Sequence, residues 1–210
     1  MNENLPDADR IDKANQYTDV LFNRVLYDMC KNYPSHDNEK HTESKILIIG
    51  RAYSASLDRR TDKSIKTEDL YALVAHQLKE SDLDDRIEKL SSKNLSDIST
   101  RTNDEIINQV LELHGAFMSI LESCVKMNKR SLASKYLHFH LPELFFLYDS
   151  YAVQELRGIY PRLKVQIPDI SCDREYATFY HKMLIFRNEI KAQYEYSLNP
   201  RKLDQLLLRY

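Results

Sequence analysis

The chain has 210 residues, of which 42% are apolar and 30% charged, and its formal net charge at pH 7 is -2. That length can bury a sizeable core as one domain or as two small lobes that share a cleft. The near-neutral charge excludes a protein that binds nucleic acid over its whole surface, so any such contact requires a local basic face. Only 3 glycines and 6 prolines are present, too few turn-forming residues for a many-stranded β protein. We therefore predict an all-α fold.

Helical spacing of apolar residues predicts the elements in chain order. Residues 1–14 are polar and expected to be loose, and residues 35–43 to form a charged loop. Ile46–Ile49 alone is consistent with a buried strand, but apolar residues continue beyond Gly50 without a turn signal, which favours a helix. Helices are predicted over residues 17–33, 44–60, 67–79, 82–90, 102–125, 130–140, 149–157, 173–194 and 199–210.

The predicted helix ends rest on capping and breaking residues. The first helix has Val20, Leu21, Val25, Leu26 and Met29 on its apolar face, and Pro34 follows it. Other signals are the capping box Thr102-Asn-Asp-Glu105, Pro142 and Gly158 as helix terminators, and the cap and first-turn proline Asn199-Pro200.

A serine- and asparagine-rich segment over residues 91–101 predicts a linker inside the domain. The expected organisation is a single all-α domain over 15–210, with possible lobes over 15–95 and 102–210 and a cleft between them.

Lys135 and Asp149 are the candidate catalytic residues. Lys135 lies in a mostly apolar helical segment with Leu132, Ala133, Tyr136, Leu137 and Phe139 around it. An amine in apolar surroundings loses proton affinity and becomes a nucleophile. Asp149 stands where it would cap the next helix, and a capping aspartate can still direct one oxygen into a pocket. From the two residues alone, an ordinary helix cap and a paired lysine are favoured over a catalytic pair.

The segment Arg130–Ala152 resembles the helix-hairpin-helix DNA glycosylase superfamily, most closely the bacterial 8-oxoguanine DNA glycosylase-like group. Lys135 matches the family's catalytic lysine, Asp149 matches its catalytic aspartate, and the apolar run Phe145–Tyr148 leads to the aspartate as in the family. The segment Gly50–Arg60 also looks like a feature of that bacterial group. The resemblance implies a two-lobed helical fold and base excision from double-stranded DNA with a flipped base, without a cofactor.

In the mechanism that the resemblance implies, the lysine amine attacks the sugar carbon C1' and displaces the base, with the aspartate assisting. The Schiff base formed permits strand cleavage by β-elimination. The base could be an oxidised purine of the host chromosome or a modified base of invading phage DNA.

The DNA contacts are predicted from basic residues. The family's hairpin is usually rich in glycine, whereas Met127–Ser131 contains none. Lys126, Lys129 and Arg130 are candidates to replace its phosphate contacts by charge. Arg51, Arg59 and Arg60, with Lys63 and Lys66 nearby, form a second basic region that is either a solvated face or a phosphate contact.

Aromatic residues and histidines near Lys135 are candidates for the pocket wall: Tyr136, His138, Phe139, His140 and Tyr148. His138 and His140 are spaced for zinc on a strand, but on a helix their rings diverge by about 200°. Structural histidines are favoured, and no metal is predicted.

Three widely spaced cysteines, Cys30, Cys124 and Cys172, predict reduced thiols and no disulfide partner. No signal peptide and no apolar run of membrane-spanning length is visible, so we expect a cytoplasmic protein without a membrane partner.

Two alternatives to the glycosylase interpretation stay open. The first is a non-enzymatic α-helical interaction protein, in which Asp149 is only a cap and Lys135 pairs with it or reaches solvent. The second is a helical ribonuclease toxin or phage-defence effector that uses His138, His140 and Arg187.

Overall fold

The computed structural model of the chain describes residues 4–59, 66–98 and 105–208. Every regular element in these ranges is a helix, which confirms the all-α prediction. The helices of the described ranges are α1 (Ala8–Gln16), α2 (Leu21–Asn32), α3 (Glu39–Ala52), α4 (Thr67–Lys79), α5 (Leu83–Leu90), α6 (Glu105–Val125), α7 (Arg130–His140), α8 (Ser150–Ile159), α9 (Arg174–Tyr194) and α10 (Pro200–Leu208). Arg60, Lys63 and the first three residues of the predicted capping box, Thr102 to Asp104, lie outside the described ranges.

Helix α7 lies at the centre of the fold. Its residues Leu132 to Phe139 are all buried, and it packs against α2, α3 and α6. A helix that is enclosed on all sides must place even its polar side chains inside the protein. The burial of the lysine in this helix is therefore a consequence of the helix's position.

The buried apolar side chains form one continuous cluster. It includes Val74 of α4, Phe117 of α6 and Leu137 of α7, which fall on both sides of the predicted linker. Leu95, inside that linker, is itself buried. Helices α4 and α5 pack directly on α6, so the segments 15–95 and 105–208 share a core. None of the described helices combines the length and apolar character that crossing a bilayer requires.

The prediction of a loose N-terminus was wrong, because α1 occupies Ala8–Gln16. Asp7 caps this helix by accepting a hydrogen bond from the Arg10 amide at 2.9 Å. Ile11 and Ala14 are buried, and the helix packs against α10 at the other end of the chain. Two apolar residues are too few for a visible periodicity, so only the distant partner reveals the helix.

The predicted apolar face of α2 was also wrong. Leu26 is buried as expected, but Val20, Leu21 and Val25 are exposed, while Asn23 is buried. The side of the helix that faces the core thus carries a polar residue. The reason appears at the functional site, where the Asn23 side chain is hydrogen-bonded on both of its polar atoms.

Helix α3 begins earlier and ends earlier than predicted. Asn38 caps it by accepting from the amides of Lys40 and His41, so the expected loop over 35–43 is partly helical. The chain leaves the helix after Ala52, and Ser54 takes a positive φ of 52°. A Cβ atom on Gly50 would lie 3.1 Å from the Ser56 Cα, so glycine lets the following turn fold back on the helix. The small residues Ser54, Ala55 and Ser56 form this turn, and they line the site described below.

The remaining predicted helices are confirmed with small shifts of their ends. Gly158 lies within α8 and does not end it. At α10, Asn199 accepts a hydrogen bond from the Lys202 amide at 2.9 Å and Pro200 is the first helical residue, as the sequence predicts.

Candidate functional site

Lys135 is enclosed by the fold, with only 4% of the residue's surface exposed. Its Nζ atom donates to the Ser131 Oγ at 3.0 Å, one turn earlier in α7, and lies 3.5 Å from the Tyr53 carbonyl oxygen after α3. The same Nζ lies 5.7 Å from the centre of the Tyr53 ring. The amine is therefore held between α7 and the turn that follows α3.

Asp149 has two roles, one for each carboxylate oxygen. Oδ1 accepts a hydrogen bond from the Ala152 amide at 2.8 Å and so caps α8. Oδ2 lies 3.9 Å from the Lys135 Nζ. Ser134, beside Lys135, accepts a hydrogen bond from the Tyr148 amide at 3.0 Å, which brings the chain before Asp149 back to α7. The predicted cap and the predicted proximity of the two residues are both present.

Burial lowers the pKa of the Lys135 amine from its ordinary value near 10.5. Asp149 and Asp204 oppose that shift by raising the pKa, and Arg201 adds to it by repulsion. A carboxylate at the amine thus limits a shift that burial would otherwise make larger. The amine remains easier to deprotonate than a surface lysine, as a nucleophilic role requires.

Sequence reasoning missed two charged residues of α10, Arg201 and Asp204, which are 7% and 3% exposed. The Arg201 Nη1 donates to the Asp204 carboxylate at 3.0 Å, and its Nε donates to Asp19 at 3.2 Å. Burial raises the Asp204 pKa to about 7, although the neighbouring Arg201 lowers it. Their spacing in the sequence is that of an ordinary surface ion pair, and no local signal shows that this face of α10 is turned inward.

Tyr53 connects the α10 pair with Lys135. The Arg201 guanidinium carbon lies 5.7 Å from the centre of the Tyr53 ring, the same distance as the Lys135 Nζ. The Tyr53 hydroxyl donates to the Asn23 Oδ1 at 2.6 Å, and the Asn23 Nδ2 donates to Asp19 at 3.0 Å. Tyr53 is thus fixed by a polar network that extends from α2 to α10.

A cleft of about 520 Å³, which we call the α7 cleft, is lined by neighbours of the residues around the amine, although Lys135 and Asp149 do not line it themselves. Its wall includes residues next to each group that contacts Lys135: Ser54 follows Tyr53, Ser150 follows Asp149, and Ser131 itself lines it. The wall also includes the polar residues Ser56, Arg59, Asn128, Lys129, Arg130 and Tyr148. A ligand in this cleft would therefore meet a polar, hydroxyl-bearing surface next to the residues that contact the amine.

The predicted phosphate contacts in the turn between α6 and α7 differ in availability. The Lys129 amine is buried and donates to the Arg59 carbonyl oxygen at 2.7 Å. Arg130 donates from its Nε to both Asp173 oxygens at 2.9 Å, and its Nη1 lies 2.9 Å from Glu175. Lys126 is exposed and takes a positive φ of 55°. Among these three, only Lys126 presents its charge to solvent.

The second predicted basic region is partly engaged as well. Arg51 pairs with Asp58 at 2.7 Å, and Arg59 donates to the Ser54 carbonyl oxygen at 3.0 Å. Both side chains are on exposed residues, and Arg59 also lines the α7 cleft. Arg60 lies outside the described residues.

We expect Arg130 to stabilise the fold and not to bind a ligand, because its guanidinium already pairs with Asp173 and Glu175. Arg130→Gln removes the cation from Asp173, whose side chain is 9% exposed, so we expect the free energy of unfolding to fall by about 3 kcal/mol. Urea unfolding measures this. Arg86→Gln is the matched control, because its pair with Asp82 is exposed and should contribute less than about 1 kcal/mol. Equal losses in the two variants would contradict the structural role.

The predicted pocket residues lie in three places. Tyr148 lines the α7 cleft. Phe139 and His140 line a second cavity of about 470 Å³, together with Tyr27 and Arg201. Tyr136 and His138 are fully buried in the core and line neither cavity.

His138 and Tyr136 are held by hydrogen bonds in the core. The His138 Nδ1 lies 2.8 Å from the Phe145 carbonyl oxygen, so it carries the proton, and its Nε2 accepts from the Tyr27 hydroxyl at 2.7 Å. The Tyr136 hydroxyl lies 2.8 Å from the Nε2 of His36, whose Nδ1 contacts Asp84. Sequence reasoning did not identify His36. Among the described residues no cluster of three or more His, Cys, Asp or Glu side chains suits a metal ion.

Arg187, named in the ribonuclease alternative, is 8% exposed. Its Nε donates to the Leu198 carbonyl oxygen and its Nη2 to the Ser197 Oγ, both at 3.3 Å. Because Arg187 and His138 are both buried and hydrogen-bonded within the fold, they do not form an exposed catalytic surface.

Substitution of Asp149 separates its two roles. Asparagine caps helices about as well as aspartate, whereas Asp149→Ala should lower the free energy of unfolding by about 1 kcal/mol relative to Asp149→Asn. Both variants remove the charge that raises the Lys135 pKa, so both should lower that pKa. Urea unfolding and an NMR titration of the labelled amine measure the two effects. An unchanged Lys135 pKa in both variants would show that the 3.9 Å approach has no electrostatic consequence.

Comparison of the chain with protein-family models, with curated proteins and with solved structures finds no match.

Proposed function

We propose that this protein is a DNA N-glycosylase, with an associated lyase activity at the resulting abasic site. The observation that carries the proposal is the enclosed Lys135 amine, 3.9 Å from a helix-capping carboxylate, with a cleft lined by its neighbour Ser131 close by. Surface lysines do not combine a lowered pKa with an adjacent carboxylate. Attack on a sugar carbon requires both properties.

The reaction begins when a nucleotide turns out of the duplex and its sugar enters the α7 cleft. The neutral Lys135 amine attacks C1', the bond between C1' and the base breaks, and the base leaves with the bonding electrons. The departing base takes up a proton from solvent. Asp149, whose Oδ2 faces the nitrogen that becomes cationic, accepts the proton that this nitrogen loses. Passing this proton to the ring oxygen opens the sugar and gives a Schiff base. Loss of a proton from C2' then drives β-elimination, which breaks the bond between C3' and the 3' phosphate.

The duplex on either side of the extruded nucleotide would meet the rim of the cleft. Arg59 lines the cleft, and Lys126 lies in the turn between α6 and α7 next to the lining residue Met127. Arg59 and Lys126 are both exposed, and they are the candidates for phosphate contacts. Such a surface is small, as a chain with a net charge of -2 requires.

Borohydride trapping tests the proposal. The protein is incubated with duplexes that carry an oxidised purine, an alkylated or deaminated base, or an abasic site, and sodium borohydride reduces any Schiff base to a stable covalent adduct. We expect a shifted band on a denaturing gel for at least the abasic duplex, since its aldehyde reacts without prior base excision. Absence of an adduct with every duplex would refute the proposal.

One observation favours a second function, an interaction module. Val20, Leu21, Phe22 and Val25 expose between 48% and 68% of their surface on one end of α2. Single exposed apolar residues are ordinary, whereas four within six positions of the chain are a candidate contact surface. A failed trapping experiment would leave this function as the better supported one.

A further inference from the structure

Two cations and three carboxylates from distant parts of the chain surround Tyr53. Lys135 of α7 and Arg201 of α10 each lie 5.7 Å from its ring centre. Asp149 faces Lys135, while Asp19 and Asp204 hold Arg201 by hydrogen bonds of 3.2 Å and 3.0 Å. Only Lys135 and Asp149 have a part in the proposed reaction, so the α10 pair is unaccounted for.

Burying Arg201 and Asp204 of α10 costs desolvation free energy, so their burial calls for a role besides stabilising the fold. Arg201 is 7% exposed and Asp204 is 3% exposed, and a buried ion pair seldom stabilises a fold more than apolar residues of the same size. Leu203, Leu206 and Leu207 of the same helix show that α10 has apolar residues for its core contacts. These apolar residues already pack α10 on the core, and the charged pair adds a hydrogen bond to Asp19.

We propose that Arg201 and Asp204 are positioning residues of the Lys135 site: they hold Tyr53 against the amine and supply the local charge that controls its protonation. The inference rests on the proposed function for its purpose, because a nucleophilic amine must be held in place and its protonation state must be controlled. Arg201 acts through geometry, with its guanidinium lying over the rings of Tyr17 and Tyr53. Asp204 acts through charge, because it titrates within the same network.

The groups that act on the amine come from α7 itself, the turn after α3, the start of α8 and α10. Asp149 at the start of α8 and Asp204 of α10 favour the ammonium form, while Arg201 and the enclosure itself disfavour it. Tyr53 and Ser131 contribute oxygen atoms that accept from the amine. Burial raises the Asp204 pKa to about 7, so this carboxyl changes charge near neutrality. Ionisation of Asp204 should then make Lys135 harder to deprotonate.

An NMR titration of the unmodified protein tests the charge role without DNA. Lysines are labelled with ¹³C at Cε, and the Lys135 signal is the one lost in Lys135→Gln. We expect the Lys135 signal to shift in a step near pH 7, where Asp204 ionises, before the amine itself titrates. Absence of a step near neutrality would overturn the charge role; the titration is run on the unmodified protein, and the variant serves only to assign the signal.

Asp204→Asn tests the same role by substitution, because asparagine keeps an oxygen for Arg201 and removes the charge. We expect the step near neutrality to disappear and the Lys135 pKa to move down. Asp85→Asn, on the exposed face of α5, is the matched control and should leave both unchanged. A Lys135 pKa that stays constant or rises in Asp204→Asn contradicts the proposal.

Arg201→Lys tests the positioning role, because lysine keeps the charge but cannot reach Asp19, Asp204 and the Tyr53 ring together. We expect reductive methylation of Lys135, measured by peptide mass spectrometry, to become several times faster as Tyr53 loosens. An unchanged rate would overturn the positioning role. If the step near neutrality is seen but borohydride traps no adduct, the role of the α10 pair stands and the glycosylase proposal is rejected. If an adduct is trapped but the step is absent, only the inference about the α10 pair is rejected.

Discussion

Lys135→Gln will abolish the borohydride-trapped adduct and lower base excision by at least about a thousandfold. The reason is that glutamine keeps a hydrogen-bond donor near Ser131 but has no amine to attack a sugar carbon. The two measurements are the covalent band on a denaturing gel and the release of the modified base. Circular dichroism of the variant verifies that the loss is chemical and not structural.

Lys45 provides the matched control for Lys135. It is also a buried lysine, it donates to the carbonyl oxygens of Tyr33 and Ser35, and burial lowers its pKa to about 8. Its amine contacts backbone carbonyl oxygens, whereas the Lys135 amine lies 3.9 Å from the Asp149 carboxylate. Lys45→Gln should therefore keep the adduct at any temperature at which the variant is folded. An adduct that persists in Lys135→Gln and disappears in Lys45→Gln would show that Lys45, and not Lys135, is the nucleophile.

The buried histidines will make the protein less stable as the pH falls below their ordinary pKa of 6.5. Burial lowers the pKa of His114 and of His138 to about 3, from an ordinary value of 6.5. The native state therefore holds both rings neutral, while the unfolded state binds protons as the pH falls below 6.5. Each histidine then lowers the free energy of unfolding by about 1.4 kcal/mol per pH unit, or about 2 kcal/mol at pH 5.

The two rings together should lower the free energy of unfolding by about 4 kcal/mol at pH 5. His36 and His140 act in the same direction, since burial lowers the pKa of both. Asp204 opposes the histidines, because its native pKa is raised to about 7 and its carboxyl takes up a proton in the folded protein before it does in the unfolded chain, which offsets part of that loss.

Urea unfolding between pH 8 and pH 5 measures the pH dependence. His114→Phe keeps the stack on Tyr176, where the ring centres lie 3.7 Å apart, and should remove about one proton from the slope. His76→Gln, on the surface, is the control; equal slopes in both variants would contradict the assignment.

Several parts of the site could be predicted from the sequence because their signals are local. Lys135 is surrounded by apolar neighbours in a helix, which predicts its enclosure, and Asp149 stands at the start of a helix, which predicts its cap. The Pro142 turn and the apolar run after it limit how far apart the two residues can lie. All of these signals act within a few residues, where helical geometry alone determines which side chains meet.

The charged residues of α10 could not be predicted because their partners are remote. Arg201 bonds to Asp19 across 182 positions of the chain, and Lys135 contacts the Tyr53 carbonyl across 82. The same limit explains α1 and the face of α2, since both are stabilised by helices from other parts of the chain. Lys129 and Arg130 appeared free in the sequence, yet the fold places the Arg59 carbonyl oxygen and Asp173 against them.

The sequence by itself determined that the chain is helical, where most helices begin and end, and that a lysine and a capping aspartate lie near each other around Pro142. Only the tertiary structure decided which helix faces are buried, which cations remain available to a ligand, and that Arg201, Asp204 and Tyr53 surround the amine. The physical reason is range: backbone hydrogen bonds and caps act over about four residues, whereas burial and charge depend on which distant segments pack together.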